Sequence, residues 1–561
     1  MRAAAARTAK RHWLFTSVLI AGLTLRVLTQ IAYSPALVYI DSDRYLRGFS
    51  AQEPLGYLAL LWPLQHAGGL AVVAAVQHVL GLAMACAIYA TLTRRGVWRW
   101  VAALAAAPVL LDAYQLQAEQ TIMPDAMFEA LIVAAVALLL WRQRPAATAF
   151  GLAGLALGVA ADVRQVGDVL IVPALAFALV CCVRWRQRLV QGALVTAGFA
   201  VPVLACMTTE YLVSGHFSTT QRNTYVFYGR AAAAADCATL RLPASERSLC
   251  PPRRVVAALG IDGLVSDPAG PLLSYRPPPG MTITAMANRF ELAVLTQQPA
   301  AVAGAVGHDF LQLFALTREQ VPGSTPITRW QFQTSYPTYP PLITASYVAR
   351  IRPGGGAPSV IRPLAVLLRD YQLNGGYTPG PLLSVAVVAG LAGACCLGAA
   401  RREHKALVSA CVLTTGMAIT VLLVSDAFEF SWRYQLPALV LLPPAGALGF
   451  TALTARIMLG RMAWRGRPAA ARAAPRAAPR AAPRAAPRAA PRAPAAEQAG
   501  LSPHLSLPVT SLPVTEGSAA PIPASTAPIP ASTAPIPAST TPIPASTTPS
   551  SPFPGPSPWS A

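Results

Sequence analysis

The sequence predicts an all-α polytopic membrane protein of about ten transmembrane helices, with one large extracytoplasmic loop domain and a disordered C-terminal tail. Three observations predict it. The 561 residues are 54% apolar and only 12% charged, with a mean hydropathy of +0.46, whereas a soluble domain carries roughly 25% charge. Long apolar runs recur along most of the chain, and basic and acidic residues alternate at their ends. The formal charge of +21 does not imply nucleic acid, because the basic residues sit in short runs beside apolar stretches and in one low-complexity tail. A nucleic-acid groove needs a folded basic face interleaved with aromatics, and the sequence contains none.

Residues 1–12, with Arg2, Arg7, Lys10 and Arg11, read as a cytoplasmic N-terminus. The apolar run Trp13–Tyr33 is too long for a signal-peptide core and has no small-x-small cleavage site, so it reads as the first helix. Residues 13–210 form an N-terminal transmembrane module with an acidic first outer loop at 34–69. Within that loop Leu55–Leu64 is apolar but about half a span, which suits an interfacial or re-entrant helix. Further spans read as Leu70–Leu92, Val97–Leu111, Ala126–Trp141, Ala147–Ala161, Val169–Val183, Leu189–Glu210, Leu382–Leu397, Ala406–Val424 and Leu436–Leu453. Arg94-Arg95, Arg142 with Arg144, Arg184 to Arg188, Arg401-Arg402 with Lys405, and Arg456 onward fall on one side, the cytoplasmic side by the positive-inside rule. Asp41, Asp43, Glu119, Asp125, Asp162, Asp168, Asp426 and Glu429 fall on the other. Both termini are then cytoplasmic.

Residues 211–380 are polar and rich in proline and glycine, and read as an extracytoplasmic loop domain with short helices such as Thr282–Leu295 and His308–Leu316. Cys237 and Cys250 lie in it, where an oxidising compartment favours a disulfide, with two unpaired thiols as the alternative. The other cysteines fall in apolar segments, where a thiol behaves as a small hydrophobe. After the C-terminal transmembrane helices of 381–455, residues 456–561 are Arg/Pro/Ala/Ser/Thr-rich repeats: Ala-Ala-Pro-Arg, then Ser-Leu-Pro-Val-Thr, then Pro-Ile-Pro-Ala-Ser-Thr. Nothing in them can build a core, so the segment reads as a disordered cytoplasmic extension. Its arginines suit anionic membrane lipids, and a neutral expansion of a repetitive coding sequence explains them at least as well.

The candidate chemistry lies at outer helix ends. Asp41 and Asp43, in Tyr39-Ile40-Asp41-Ser42-Asp43-Arg44-Tyr45, are placed to act as a general base with an electrostatic or metal-binding partner, although acidic pairs in solvated loops are common. Glu53-Pro54-Leu55-Gly56-Tyr57 follows. Glu119 and Asp125 frame the second outer turn, where helix capping would by itself explain Asp125. Arg164 is an outer arginine against the positive-inside trend, which suits a phosphate or a carboxylate. Arg433-Tyr434 opens the last helix, where interfacial anchoring is the plainer explanation.

The acidic first loop, Met123-Pro124-Asp125, the segment Gly154–Arg164 and Arg433-Tyr434-Gln435-Leu436-Pro437 together resemble the GT-C superfamily of polyprenyl-phosphate-dependent glycosyltransferases. The branch is that of the protein O-mannosyltransferases and the aminoarabinose transferases of lipid A, and the resemblance spans about residues 13–455. It implies an inverting transfer from a polyprenyl-phosphate sugar to a cell-envelope acceptor (protein, lipid or glycan) at the outer face of a plasma membrane. Asp41 matches the first acid of the family's Asp-Glu-x-x-Tyr pattern and Tyr45 its tyrosine, while Ser42 departs from it and Asp43 stands one residue along. Asp125 matches the acid of the second-turn motif, with Glu119 beside it in a second acidic shell. Arg164 matches the arginine after the next helix pair. On this resemblance Asp41 and Asp43 are catalytic, Arg164 and Arg433 bind the donor phosphate, and Tyr45, Glu53, Tyr57 and Tyr434 line the substrate pocket. A divalent metal is left open. The alternatives are a transporter or flippase of lipid-linked precursors and an inactive scaffold of the same fold. Alanine, proline and arginine richness points to a high-GC bacterial source.

Overall fold

Long apolar runs without internal water must satisfy their own backbone, and they do so here as helices. In the computed structural model, which describes residues 11–48, 54–215, 217–219, 223–340, 342–351, 357–398 and 402–465, eighteen helices are labelled below. The first half holds α1 (Trp13–Ala32), α2 (Ile40–Leu46), α3 (Gly56–Arg94), α4 (Arg99–Leu111), α5 (Ala113–Gln120), α6 (Asp125–Leu140), α7 (Ala147–Val163), α8 (Ile171–Cys181) and α9 (Trp185–Ser214). A second set follows: α10 (Asn223–Ala234), α11 (Arg253–Ser266), α12 (Ile283–Gln297), α13 (Pro299–Gln312), α14 (Ala345–Ile351) and α15 (Arg362–Leu373). The chain returns to apolar helices with α16 (Gly380–Ala394), α17 (Arg402–Phe428) and α18 (Pro437–Arg465). A two-stranded antiparallel ribbon pairs β1 (Tyr33–Ser34) with β2 (Ser359–Val360).

Five of these helices are long and apolar enough to cross a membrane, or six if α4 and α5, bent by 48° at Asp112, count as one span. The ten expected from the sequence are therefore not all carried by length. Ala147–Val163, Gln165–Cys181 and Gly380–Ala394 are apolar but short, below the roughly 20 residues that a 30 Å hydrocarbon layer asks of one helix. Leu55–Leu64 is also not separate: it runs as the first part of α3 and joins the rest through non-helical Gly68 and Gly69, the latter at φ +73°. At the other end α18 continues to Arg465, so the boundary expected at 456 moves outward, and the predicted disorder of 466–561 lies outside the described residues.

Close approach of backbones holds the apolar helices together. A Cβ on Gly154 or Gly158 of α7 would lie 2.2 or 2.4 Å from carbonyl oxygens of α9, the small-residue packing that membrane helices use in place of a hydrophobic drive. Buried Arg95 donates from Nε to the Leu140 carbonyl at 2.6 Å and from Nη2 to that of Arg142 at 2.9 Å, closing the orphaned end of α6. The second set of helices has its own core, centred on Tyr228, Leu249, Met286 and Phe290. It belongs to the same compact unit as the apolar helices and is called the cap below. Thr282 caps α12, accepting from the Ala285 N–H at 3.1 Å, and α13 starts at Pro299, upstream of the His308 start expected. Cys237 and Cys250 are joined as a disulfide.

Candidate functional site

The site is assembled where the first connection meets the second. Residues leaving β1 run extended, and Leu37 exchanges backbone hydrogen bonds with the turn after α5: its N–H donates to Gln120 at 3.0 Å and its carbonyl accepts from Ile122 at 2.9 Å. This clamp brings α2 beside the start of α6, and so Asp41 near Asp125. Pro124 precedes Asp125, which stands in the first turn of α6, and Asp41 stands in the first turn of α2. Both carboxylates therefore face the positive end of a helix.

One guanidinium joins them. Arg433 donates from Nε to both oxygens of Asp125, at 3.2 and 3.0 Å, and from Nη1 to Oδ2 of Asp41 at 2.9 Å. Arg164, which follows α7 in extended conformation, also donates to Oδ1 of Asp125. Both guanidinium groups pack on Tyr434, with centroid distances of 5.1 Å for Arg164 and 5.4 Å for Arg433. Arg433 is held in place by its own turn. The Tyr434 N–H donates to Ser431 at 2.8 Å, Gln435 Nε2 to Asp426 at 2.7 Å, and Trp432 Nε1 to the Glu319 carbonyl at 2.8 Å. The two acids differ in access, because the Asp41 side chain keeps 25% of its surface exposed and that of Asp125 only 2%. Asp125 orders the arginines; Asp41 is the member that a solute can reach.

Asp43 and Glu119 lie elsewhere. Residues two apart on a helix do not share a face, so Asp43 turns away from Asp41 to pair with Arg47 at 2.8 Å and to meet Tyr347 of α14. Ser42, the departure from the family pattern, is buried and its Oγ accepts from the Tyr39 N–H at 2.9 Å, closing the start of α2. Glu119 is fully buried between α1 and α3, accepting from Arg26 Nη2 at 2.7 Å and standing 2.9 Å from His78 Nδ1. Arg26 also donates to the Val109 and Leu110 carbonyls. Gly81 makes room for this pair, since a Cβ there would lie 2.1 Å from Glu119 Oε1. The sequence thus grouped Asp43 with Asp41 and Glu119 with Asp125, and the fold separates both pairs. Tyr45 and Tyr57 pack edge to face at 5.1 Å, with the Tyr57 hydroxyl donating to Gln77 at 2.8 Å. Glu53 lies outside the described residues.

The cap adds groups that no sequence pattern singles out. Arg329 donates to the Tyr39 hydroxyl at 3.0 Å, has no carboxylate within 4.0 Å among the described residues, and lies beside Trp330, whose ring also receives Arg433 at 5.4 Å. Arg318 forms a two-pronged pair with Asp112, at 3.2 and 2.8 Å, against Tyr114, Tyr377 and Trp432. Glu429 accepts from the Thr325 N–H and Oγ1 at 3.2 and 2.9 Å, and burial followed by the nearby Asp262 pushes its carboxyl up to about 7. No three His, Cys, Asp or Glu side chains gather into a metal site among the described residues. The place between Asp41 and Asp125 where a bridging cation would sit is filled by Arg433.

Such a cluster, with one accessible carboxylate beside two ordered arginines, can take a proton and hold an anion. No curated protein matches the chain. Among solved structures, the archaeal oligosaccharyltransferase AglB from Archaeoglobus fulgidus, in complex with an inhibitory peptide and a dolichol-phosphate, is similar at 13% identity and a TM-score of 0.39. The match covers 82% of this chain and 52% of that one, so the chain spans about half its length. A family model matches residues 70–212, a stretch that holds Asp125 and Arg164 and stops short of Asp41 and Arg433. Over that stretch the chain is similar to the dolichyl-phosphate-mannose-protein mannosyltransferases, in keeping with the GT-C resemblance of its motifs.

Proposed function

We propose that the protein is a membrane glycosyltransferase that moves a sugar from a polyprenyl-phosphate donor to a hydroxyl of a cell-envelope acceptor at the outer face of the plasma membrane. The observation that carries this reading is the Asp41–Arg433–Asp125–Arg164 cluster, with Asp41 as its exposed member. The acceptor oxygen attacks the anomeric carbon as its proton passes to the Asp41 carboxylate, which supplies the base that a hydroxyl of very high pKa requires. The bond from the anomeric carbon to the phosphate oxygen breaks from the opposite face, and its electron pair stays on the phosphate. That leaving group is already a weak base, so no general acid is needed. Cations aimed at its developing charge lower the barrier. Arg433 and Arg164 are fixed for this role, and Arg329, which pairs with no carboxylate among the described residues, adds positive charge from the cap. The outer placement follows the charge asymmetry of the connections. Inside the bundle Glu119 pairs with Arg26 and meets His78, which supports a structural part for these groups rather than the ion path of a transporter.

Similarity to the dolichyl-phosphate-mannose-protein mannosyltransferases over residues 70–212 makes mannose the first sugar to try. Membranes of cells producing the protein, supplied with polyprenyl-phosphate mannose labelled in the sugar, are expected to carry label into envelope acceptors. Asp41→Asn is expected to lower that transfer by at least 100-fold, within the ~10²–10⁴ range of general base catalysis. Transfer at the wild-type rate by Asp41→Asn would remove Asp41 from the mechanism.

A further inference from the structure

The cap carries a carboxylate that the proton transfer and the phosphate do not use, on backbone tied to the segment that bears Arg433. Asp262 lies in α11, two residues beyond Gly260, where a φ of +66° breaks the helix. A Cβ on Gly260 would lie 2.7 Å from the Gly323 carbonyl oxygen, and the Ile261 N–H donates to that same oxygen at 3.1 Å. Gly323 belongs to the turn 321–325, which Glu429 grips from its other side through Thr325. Glu429 stands four residues before Arg433, so the backbone under Asp262 is tied through one turn to the segment that carries the bridging arginine. Val321 of the same turn packs in one cluster with Tyr39, Trp330, Phe430 and Trp432.

The side chain is exposed and has no hydrogen-bond or ion-pair partner among the described residues. Asp41, Asp125 and Glu429 all have partners. Burial raises the pKa of Asp262, as does the charge on Asp41, while Arg329 and Arg44 draw it back. Its carboxylate therefore reaches water while standing within electrostatic reach of Asp41, Arg329 and Arg44.

We propose that Asp262 is a specificity-determining residue of the acceptor site: its carboxylate accepts a hydrogen bond from a hydroxyl or ammonium group beside the attacking hydroxyl and so aims that hydroxyl at Asp41. This rests on the transferase reading above. An ionised carboxylate only accepts, so the acceptors it selects present a second donor next to the nucleophile, as polyols, sugars and amino alcohols do. A phosphate would be repelled, which leaves the donor's phosphate to Arg433 and Arg164.

The test follows the fate of the sugar. Membranes holding the full-length protein and its own envelope acceptors are given polyprenyl-phosphate mannose labelled in the sugar, and each reaction is divided into labelled acceptor and free mannose released to water. Asp262→Ala is expected to lower the ratio of labelled acceptor to free mannose at least tenfold, because water needs no aiming. Asp262→Asn, which keeps one accepting oxygen, is expected to fall less. A ratio within twofold of wild type in Asp262→Ala overturns the proposal, whether the total consumption of donor is kept or falls, since a purely structural role lowers both products together. Wild-type membranes that consume no donor at all refute the transferase reading itself, and that result is read before any variant.

Discussion

Replacing Arg433 by methionine removes the only group among the described residues that touches both Asp41 and Asp125, and the geometry says how the loss divides. Toward Asp125, Arg433 makes two charge-assisted bonds at 3.0 and 3.2 Å between side chains exposed by 8% and 2%. Toward Asp41 it makes one bond at 2.9 Å to a side chain exposed by 25%. Removing one partner of a buried pair costs about 3–5 kcal/mol, and Arg164, which remains on Asp125, holds the single variant near the lower end. In double-mutant cycles the coupling of Arg433→Met with Asp125→Asn is expected at about 2 kcal/mol, from two largely desolvated charge-assisted bonds. With Asp41→Asn it is expected at about 1 kcal/mol or less, because solvent screens the partly exposed partner. The assay is unfolding of the detergent-solubilised protein, wild type and five variants, in a denaturing-detergent titration. A coupling to Asp41 equal to or larger than that to Asp125 would refute the reasoning that Asp125 holds the arginine and leaves Asp41 available as a base.

Gly81→Ala drives a methyl group into the space of the Arg26–Glu119 pair, whose members are held by His78 and by the Val109 and Leu110 carbonyls and cannot step aside. A loss of roughly 1–3 kcal/mol is expected, and an unchanged unfolding midpoint would show that the pair has slack. Glu429 gives a pH test. Its folded-state pKa is raised from 4.5 to about 7, so the folded protein holds the proton more tightly than the unfolded chain, and the stability this confers is present at acid pH and lost as pH rises through about 7. A shift of that size is worth up to about 3 kcal/mol. Glu429→Gln, which keeps an oxygen for Thr325, is expected to melt with the wild type near pH 5 and several degrees above it at pH 8.5, whereas a difference that does not change with pH would refute the assignment.

How far the sequence reaches varies from residue to residue. Asp41, Asp125, Arg164 and Arg433 are each legible because an ionisable side chain at the end of an apolar run is costly without a purpose, and the structure brings these four into one cluster. Asp43 is as acidic and as close in sequence to Asp41, but the helical turn of α2 carries it to the other face, toward Arg47 and Tyr347. Glu119 precedes Asp125 by one short turn, yet the end of α5 points it at Arg26 and His78 instead. Asp262 and Arg329 gave no signal, because they lie in a polar stretch of weak periodicity where charges are ordinary. Only the clamp of the cap on Tyr39 and Glu429 makes them neighbours of the cluster. Helix length does not carry the count of ten for a related reason: apolar composition marks a run as buried, while the length of the helix it forms depends on where prolines, glycines and capping groups stop it.

By itself the sequence determined that this chain folds as apolar helices and which connections carry acids and arginines, because burial cost and charge placement act on residues one run at a time. The tertiary structure alone decided which of those charges meet. The Leu37 backbone clamp, the face of α2 that carries Asp41 and the single arginine reaching two acids all depend on contacts between segments far apart in the chain, and no local pattern of residues encodes such contacts.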